Sequence, residues 1–469
     1  MVTTHCSWRT LEEWRGMKLP LSTASNEASR MFDASLTQFV GYWEDASVGG
    51  ISTTLPKMLQ ADPDFVMGYV LTNSLHLYGG GASVHNNPDL KESVRKMSTL
   101  CDRQVNLSVR EKKHVKAVQL LADGYIVDAC NVWEDILLEH PGDILALKCA
   151  YLGYIYLGDS AQLRDSVARI LPHWKTSSPY YGFLLGMHAF GLEETNMYER
   201  AEKQARKALE LNRHDCWSTH TLSHVLEMTG RQDQGIEFLT STVSDWEGGK
   251  SLACHNYWHL ALHHIEKGQY QEAVDIFDSQ VAVRTNKHKD LFNIQDSCSL
   301  LLRLELEGVD VSNRWEEIFE LCRPHLDDHI LAFNEAHLMM GCLGVGKLDI
   351  AHKMLDSIEE FVKSGWGTSH DVMACVGLKV CQALVSFREG DFANVVDLLH
   401  PLRYKIFVIG GSNAQRDVFN LLLIHAALKS PRVEHHRIAR SMLAERKALK
   451  ENSPLTDRLL GKVVALHWG

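Results

Sequence analysis

Residues 265–278 read IEKGQYQEAVDIFD and decide the fold, because their pattern recurs at residues 120–141, which read LLADGYIVDACNVWEDILLEHP. In both stretches a glycine lies five residues before an alanine, and an aromatic residue follows the alanine by four. Glycine permits the positive φ that ends a helix, and a small residue lets two helices cross closely. The three positions are 124, 129 and 133 in one stretch and 268, 273 and 277 in the other. The pattern therefore predicts a repeated helical hairpin.

Weaker copies of this hairpin pattern occur at residues 196–212, 229–239, 344–355 and 388–399. Ala201 and Gly235 occupy the same place in two of them and lie 34 residues apart (235 − 201), which is the length of a tetratricopeptide repeat. The sequence thus predicts an all-α fold, a tetratricopeptide-repeat-like α-solenoid of antiparallel helix hairpins that form one superhelix.

The repeats also predict a domain organisation. We expect a loosely ordered N-terminal lead-in at 1–20, degenerate N-terminal helical hairpins at 21–106, tetratricopeptide-like repeats at 107–405 and a C-terminal helical cap at 406–469.

Composition limits the compartment and the partners. The net charge is 48 − 59 = −11 without a basic stripe, which disfavours nucleic acid and anionic membranes as partners. The 11 cysteines include no C-x-x-C, so reduced thiols are expected rather than a disulfide framework. No run of 18 apolar residues predicts a transmembrane helix, and the N-terminus lacks the apolar segment of a signal peptide. We therefore expect a cytoplasmic protein.

Four longer strings resemble a known family. They are LPLSTASNEASRMFDASLTQFVGYW (19–43), ADPDFVMG (61–68), LACHNYWHLAL (252–262) with the adjoining IEKGQYQEA, and GGSNAQRDVFNLLLIHAAL (410–428). On these strings the chain resembles the tetratricopeptide repeat protein 38 family over almost its whole length. The resemblance implies an all-helical cytosolic protein and no settled activity.

A cluster of histidines is the candidate site. If Gly235 is position 20 of a repeat, that repeat begins at Cys216 (235 − 19 = 216), and the same alignment of Ala273 begins the next repeat at Cys254. Polar and aromatic residues then recur at groove positions of two consecutive helices and are expected to face one another. The predicted ligand-binding residues are Trp217, His220, His224, Glu227, His255, Trp258 and His259.

Three interpretations of this cluster stay open. The histidines could be structural, each bonded within the core. They could line a concave groove that binds a small molecule or an extended peptide. They could also hold a divalent transition metal, since two histidines four residues apart on a helix can share one ion.

In the metal interpretation the ligands are His220, His224, His255 and His259, and Glu227 is a further ligand or a catalytic base acting on bound water. Neither histidine pair belongs to an H-E-x-x-H motif. Whether the protein is an enzyme, hydrolytic or oxidative, is therefore left open.

Two further sets of polar residues are candidates of second rank. His329 and His337 are predicted to share one face of a single helix through Phe333. Asn413 and Arg416 begin a helix behind two glycines, where an anion could bind. The simpler expectation there is a helix capped by Ser412 or Asn413, with Arg416 paired to Asp417.

The leading hypothesis is a ligand- or partner-binding repeat protein that uses the histidine, tryptophan and glutamate pocket. The alternatives are the metal-dependent enzyme and a non-catalytic scaffold for protein interactions. The sequence does not specify the ligand, the reaction or the oligomeric state.

Overall fold

The computed structural model describes residues 8–468, and the chain divides into two compact units. Unit 1 runs to Thr221 and includes Ser244–Leu252, whereas unit 2 comprises Leu222–Val243 and the chain from Ala253 onward. The division falls within three helices.

Unit 1 contains eleven whole α-helices among its described residues. They are α1 Leu11–Gly16, α2 Asn26–Gly41, α3 Ile51–Ala61, α4 Val66–Leu77, α5 Pro88–Arg103, α6 Val109–Ala122, α7 Ile126–Glu139, α8 Ile144–Leu157, α9 Ser160–Ile170, α10 Tyr181–Glu194 and α11 Tyr198–Leu211. The helices that the division cuts are α12 Cys216–Met228, α14 Val243–Trp246 and α15 Lys250–Lys267.

The remaining helices lie in unit 2. They are α13 Gln232–Ser241, α16 Tyr270–Ile276, α17 Ala282–His288, α18 Leu291–Leu306, α19 Trp315–Cys322, α20 Ala332–Gly344, α21 Leu348–Ser364, α22 Gly367–Val372, α23 Leu378–Glu389, α24 Phe392–Leu399, α25 Asn413–Lys429, α26 Val433–Leu449 and α27 Pro454–Trp468. Single π-helical turns, Phe277–Val281 and Met373–Gly377, join α16 to α17 and α22 to α23.

The helices pair in sequence order as the repeats predicted. In unit 1, α6 packs on α7, α7 on α8 and α10 on α11. Gly124 has φ +87° where α6 turns into α7, and Ala129 is fully buried at the helix crossing. Gly268 and Ala273 repeat this geometry in unit 2. No β-strand occurs between residues 8 and 468, so the all-α tetratricopeptide-like fold of helix hairpins is confirmed.

Helix α18 lies at the centre of unit 2. It packs against α19, α20 and α25, and nearly every one of its side chains is buried, including the polar Asp296 and Arg303. Helix α20 also packs against α23. The core of unit 2 therefore forms around a helix that carries charged groups.

The prediction of a loosely ordered lead-in is wrong for residues 8–20. Helix α1 begins there, and its Trp14 is buried. Arg9, before α1, is also buried and pairs with Asp33 and Tyr180. A guanidinium out of water must be paired, and this pairing fixes the segment. Residues 1–7 lie outside the described chain.

One helical stretch, Gly367–Glu389, is long and apolar enough by length and composition to cross a membrane, and half of its most apolar window is buried inside the protein. A buried core helix passes the same test, so this finding is weak evidence for a membrane span. The predicted boundaries at residues 106 and 405 fall inside the two units. They stay predictions, as does the single superhelix.

Candidate functional site

Three of the predicted histidines come together in unit 2. His224 lies on α12, and His255 and His259 lie one turn apart on α15. The ring centroid of His259 is 4.3 Å from that of His224 and 4.8 Å from that of His255. Each histidine offers a ring nitrogen, and these nitrogens lie within 4.8 Å of one another. We call these three residues the histidine cluster.

Two members of the histidine cluster are held by carboxylates. His255 Nδ1 lies 2.8 Å from Asp296 Oδ2, and His259 Nδ1 lies 3.2 Å from Glu227 Oε2. An ionised carboxylate only accepts hydrogen bonds, so Nδ1 donates in both pairs and Nε2 carries the lone pair of the neutral ring. This contact orients the ring and makes Nε2 more basic, as in the carboxylate–histidine–metal arrangement of zinc proteins.

The three histidines and Asp296 are withdrawn from water, whereas the Glu227 side chain is 13% exposed. The three histidines are 0–2% exposed and Asp296 is 1% exposed. Burial raises the pKa of Asp296 above its ordinary value, against the opposing influence of His255. Burial also raises the pKa of Glu227, against the opposing influence of Lys450 and His224. Side chains this deeply buried do not line an open groove.

Helix α18 supplies a cation beside the histidine cluster. The Arg303 guanidinium lies 5.3 Å from the Trp258 ring centroid and donates to the Ala414 carbonyl at 2.6 Å and to Ser299 Oγ at 3.0 Å. Burial lowers the pKa of Arg303 to about 10, so the group remains charged at neutral pH. Its charge offsets part of the negative charge of Asp296 and Glu227.

Trp258 and Trp217 lie in the cores of different units. In unit 2, Trp258 stacks on His255 with ring centroids 5.0 Å apart and an angle of 11°. In unit 1, Trp217 stacks on Tyr42 with centroids 5.4 Å apart. A common ligand pocket for both indoles stays a prediction.

His220 belongs to the part of α12 that is counted with unit 1. It lies one turn before His224, and its ring centroid is 4.8 Å from Trp217 and 5.1 Å from Phe190. Its predicted role as a metal ligand is not tested by these aromatic contacts.

The prediction that His329 and His337 share one helix is wrong. Helix α20 begins at Ala332, and His329 precedes it with φ +47°, a left-handed conformation that stops the helix from starting earlier. His329 Nε2 lies 2.9 Å from Ser357 Oγ, whereas His337 Nδ1 donates to the Phe333 carbonyl at 2.7 Å. Burial lowers the pKa of His337 to about 4, which keeps this ring neutral.

At the start of α25 the predicted cap is confirmed and the predicted ion pair is not. Ser412 accepts a hydrogen bond from the Gln415 backbone N–H, as predicted for the cap. Arg416 donates to the Gly410 carbonyl at 3.2 Å and to Asn413 Oδ1 at 2.8 Å. The predicted Arg416–Asp417 pair is wrong, because Asp417 pairs instead with Arg446 on α26 at 3.0 Å. The anion-binding role of Asn413 and Arg416 stays a prediction.

Sequence reasoning missed Asp296 and Arg303. Both lie on α18, 41 and 48 residues after His255 (296 − 255 and 303 − 255), so no local motif joins them to it. The sequence does contain one indication of these two residues. The run NIQDS at 293–297 places polar residues on an otherwise apolar helix. Polar groups on a buried helix require partners, and those of α18 could have been matched to the histidines.

Several solved structures are similar to this chain at low sequence identity. No protein-family model matches it. The crystal structure of the APC/C hetero-tetramer Cut9–Hcn1 is 13% identical, with 88% of this chain and 81% of that chain covered and a TM-score of 0.37. The crystal structure of yeast Tom70 is 12% identical, with 92% and 87% covered and a TM-score of 0.32.

The structure of Naa15/Naa10 bound to HypK-THB is also 12% identical, with 92% of this chain and 70% of that chain covered and a TM-score of 0.24. Likenesses of this strength contribute nothing to the assignment of the site, which depends on the chain's own geometry.

Proposed function

We propose that this tetratricopeptide-like protein binds a divalent transition-metal ion through the histidine cluster of unit 2. The observation that carries the proposal is the pair of contacts from His255 Nδ1 to Asp296 and from His259 Nδ1 to Glu227. Each contact presents the opposite ring nitrogen as a ligand, and the ring nitrogens of the cluster lie within 4.8 Å of one another. Metal-binding histidines are nearly always supported in this way.

The distances suit one shared ion. Nitrogen ligands lie about 2.0–2.1 Å from zinc, so two of them on a tetrahedral ion are about 3.4 Å apart. The ring nitrogens are up to 4.8 Å apart, and rotation about χ1 and χ2 can bring them to the separation that a shared ion requires. Imidazole ligands favour zinc, copper, iron and nickel over magnesium or calcium.

The charges support the same conclusion. Three neutral imidazoles bring no charge, whereas Asp296 and Glu227 together bring two negative charges when ionised. Arg303 offsets part of this charge, and a dication among the three rings would offset the remainder and lower the cost of keeping both carboxylates ionised out of water.

The number of ligands separates a structural from a catalytic ion. Three histidines leave a coordination position for water, as in catalytic zinc sites, whereas a fourth protein ligand closes the site. His220, one turn before His224, is the fourth ligand expected from the sequence. The burial of the histidine cluster favours a closed, structural ion, and Glu227 then positions His259 instead of acting as a base.

Membership of the tetratricopeptide repeat protein 38 family and a cytoplasmic location remain parts of this proposal. So does partner binding, which an ion bound in the core would support indirectly by stabilising the repeats.

Elemental analysis of untagged protein tests the proposal. We expect about one equivalent of a transition metal in the wild type and its loss in the double variant His224→Ala, His259→Ala. The matched control is His264→Ala on the same helix, because His264 contacts Gln269 Oε1 at 3.0 Å and lies outside the cluster. His220→Ala shows whether a fourth ligand contributes.

Two results would overturn the metal proposal. One is wild-type protein that takes up no zinc, cobalt or copper on titration after chelation. The other is a metal content that falls equally in His264→Ala and in the double variant.

A further inference from the structure

A second feature of unit 2 is an apolar cavity of about 170 Å³, bounded by helices α18, α19, α20, α23, α24 and α25. Most of its lining is hydrocarbon or aromatic. The side chains that enclose its body include Leu302, Trp315, Met340, Leu343, Leu384 and Phe392. None of them belongs to the histidine cluster, so the cavity is a separate feature.

Three charged side chains border the cavity, and two of them are already engaged. Glu305 accepts a hydrogen bond from Trp315 Nε1 at 2.8 Å, and its other oxygen lies 3.6 Å from Arg388 Nη1. Arg388 also donates to the Gly344 carbonyl at 3.0 Å. The charges of Glu305 and Arg388 therefore offset each other.

The third charged group, Lys429, has no carboxylate partner in the described part of the chain. Its Nζ lies 5.2 Å from the Phe387 ring centroid and 5.3 Å from the Phe392 centroid. Lys429 is exposed to water on one side, and its partial burial together with the neighbouring cation Lys462 lowers its pKa. An exposed ammonium thus borders the apolar cavity, close to two aromatic rings.

We infer that this cavity binds a small aromatic carboxylate, with its ring among the apolar side chains and its carboxylate against Lys429. The size fits, because an apolar cavity of roughly 150 Å³ accepts a benzene molecule. The charge fits, because the exposed Lys429 offers an ammonium at the edge of the cavity, where a carboxylate can pair with it, and the pair of Glu305 and Arg388 is neutral as a whole. The aromatic lining fits a ring, since edge-to-face contacts add to the burial of apolar area.

Calorimetric titration of the full-length protein with phenylacetate tests this inference, and benzylamine is the matched probe with the opposite charge. We expect saturable binding of phenylacetate and little or none of benzylamine. Lys429→Gln should weaken phenylacetate binding by about tenfold, because a charge-assisted hydrogen bond is lost. Lys353→Gln, an exposed lysine on α21, is the control and should leave binding unchanged.

A second variant tests the place of the ring. Leu343→Phe narrows the cavity and should weaken the binding of phenylacetate and of neutral benzyl alcohol alike. Lys429→Gln, in contrast, should weaken only the binding of phenylacetate. Chelation of any bound metal should leave phenylacetate binding unchanged, so failure here is distinguishable from failure of the metal proposal. Equal binding of acid and amine, no effect of Lys429→Gln, or no saturable binding would each overturn the inference.

Discussion

Both units bury histidine beside a carboxylate, but they do so in different arrangements. In unit 1, His114 Nε2 lies 3.0 Å from Asp143 Oδ2, and Arg110 binds the same oxygen at 2.7 Å. This set contains one imidazole, one carboxylate and one guanidinium, so the protein supplies every charge partner itself. In unit 2, three imidazoles lie close together, and two of them, His255 and His259, each contact a carboxylate through Nδ1.

The difference shows how to distinguish a structural histidine from a ligand. A carboxylate contact alone is common to both units and decides nothing. Convergence of several ring nitrogens on one point is found in the histidine cluster, and a cation at that point would be bound by all of them. The comparison therefore predicts that the polar core of unit 1 depends on its own ion pairs and that of unit 2 on metal.

The largest expected effect is the removal of the shared carboxylate in unit 1. Asp143→Ala leaves two buried cationic or polar groups, Arg110 and His114, without their anion and should lower the free energy of unfolding of unit 1 by about 3–5 kcal/mol. Faster amide hydrogen exchange across residues 109–157 would show this loss of stability. Asp128→Ala, at an exposed position on α7, is the control. A change in metal content caused by Asp143→Ala would break the comparison.

The second effect concerns the carboxylate behind His255. Asp296→Asn keeps the size of the side chain but weakens the contact that orients the ring, so metal affinity should fall by about 10–100-fold. Competition with a chromophoric chelator measures it, and Asp275→Asn, exposed on α16, is the matched control. Unchanged affinity would show that His255 is structural in the same sense as His114.

The smallest effect is a pH dependence confined to unit 1. Lys148 is 1% exposed and lies 3.7 Å from the Tyr42 ring centroid. Burial lowers its pKa to about 7, although Asp215 opposes the shift. The unfolded chain holds this proton up to about pH 10.4. The contribution of Lys148 to stability is therefore complete above about pH 10.4 and is lost as the pH falls through about 7.

Lys148→Met removes this titration while nearly conserving volume. We expect the variant to be more stable than the wild type by about 1 kcal/mol at pH 6 and by less at pH 9. Denaturant unfolding of both proteins at the two pH values measures the difference. If the extra stability of Lys148→Met increased with pH, the assigned direction of the pKa shift would be contradicted.

The hairpins were predictable because they are local. The turn glycines and crossing alanines, such as Gly124 and Ala129, lie within one hairpin and fix its geometry. The proximity of His224, His255 and His259 was also expected, because the repeat phase carries over between adjacent helices.

Residues on other helices were not predictable in this way. Asp296 and Arg303 contact the site through α18, and their contribution depends on a packing that no spacing encodes. The error at His329 has a local cause, because its backbone is left-handed, a conformation that histidine adopts more often than most residues but still only in a minority of cases.

The π-helical turn at Phe277–Val281 has a consequence for the history and the engineering of the chain. A π-turn holds one residue more than the α-helix around it, which is what a single-residue insertion leaves behind when the flanking helix keeps its packing. In an uninterrupted α-helix an inserted residue would rotate everything after it by about 100°, and the π-turn absorbs this rotation locally. Alignments at a fixed period of 34 therefore lose phase after Ala273, and consensus repeats grafted beyond this point need one compensating deletion.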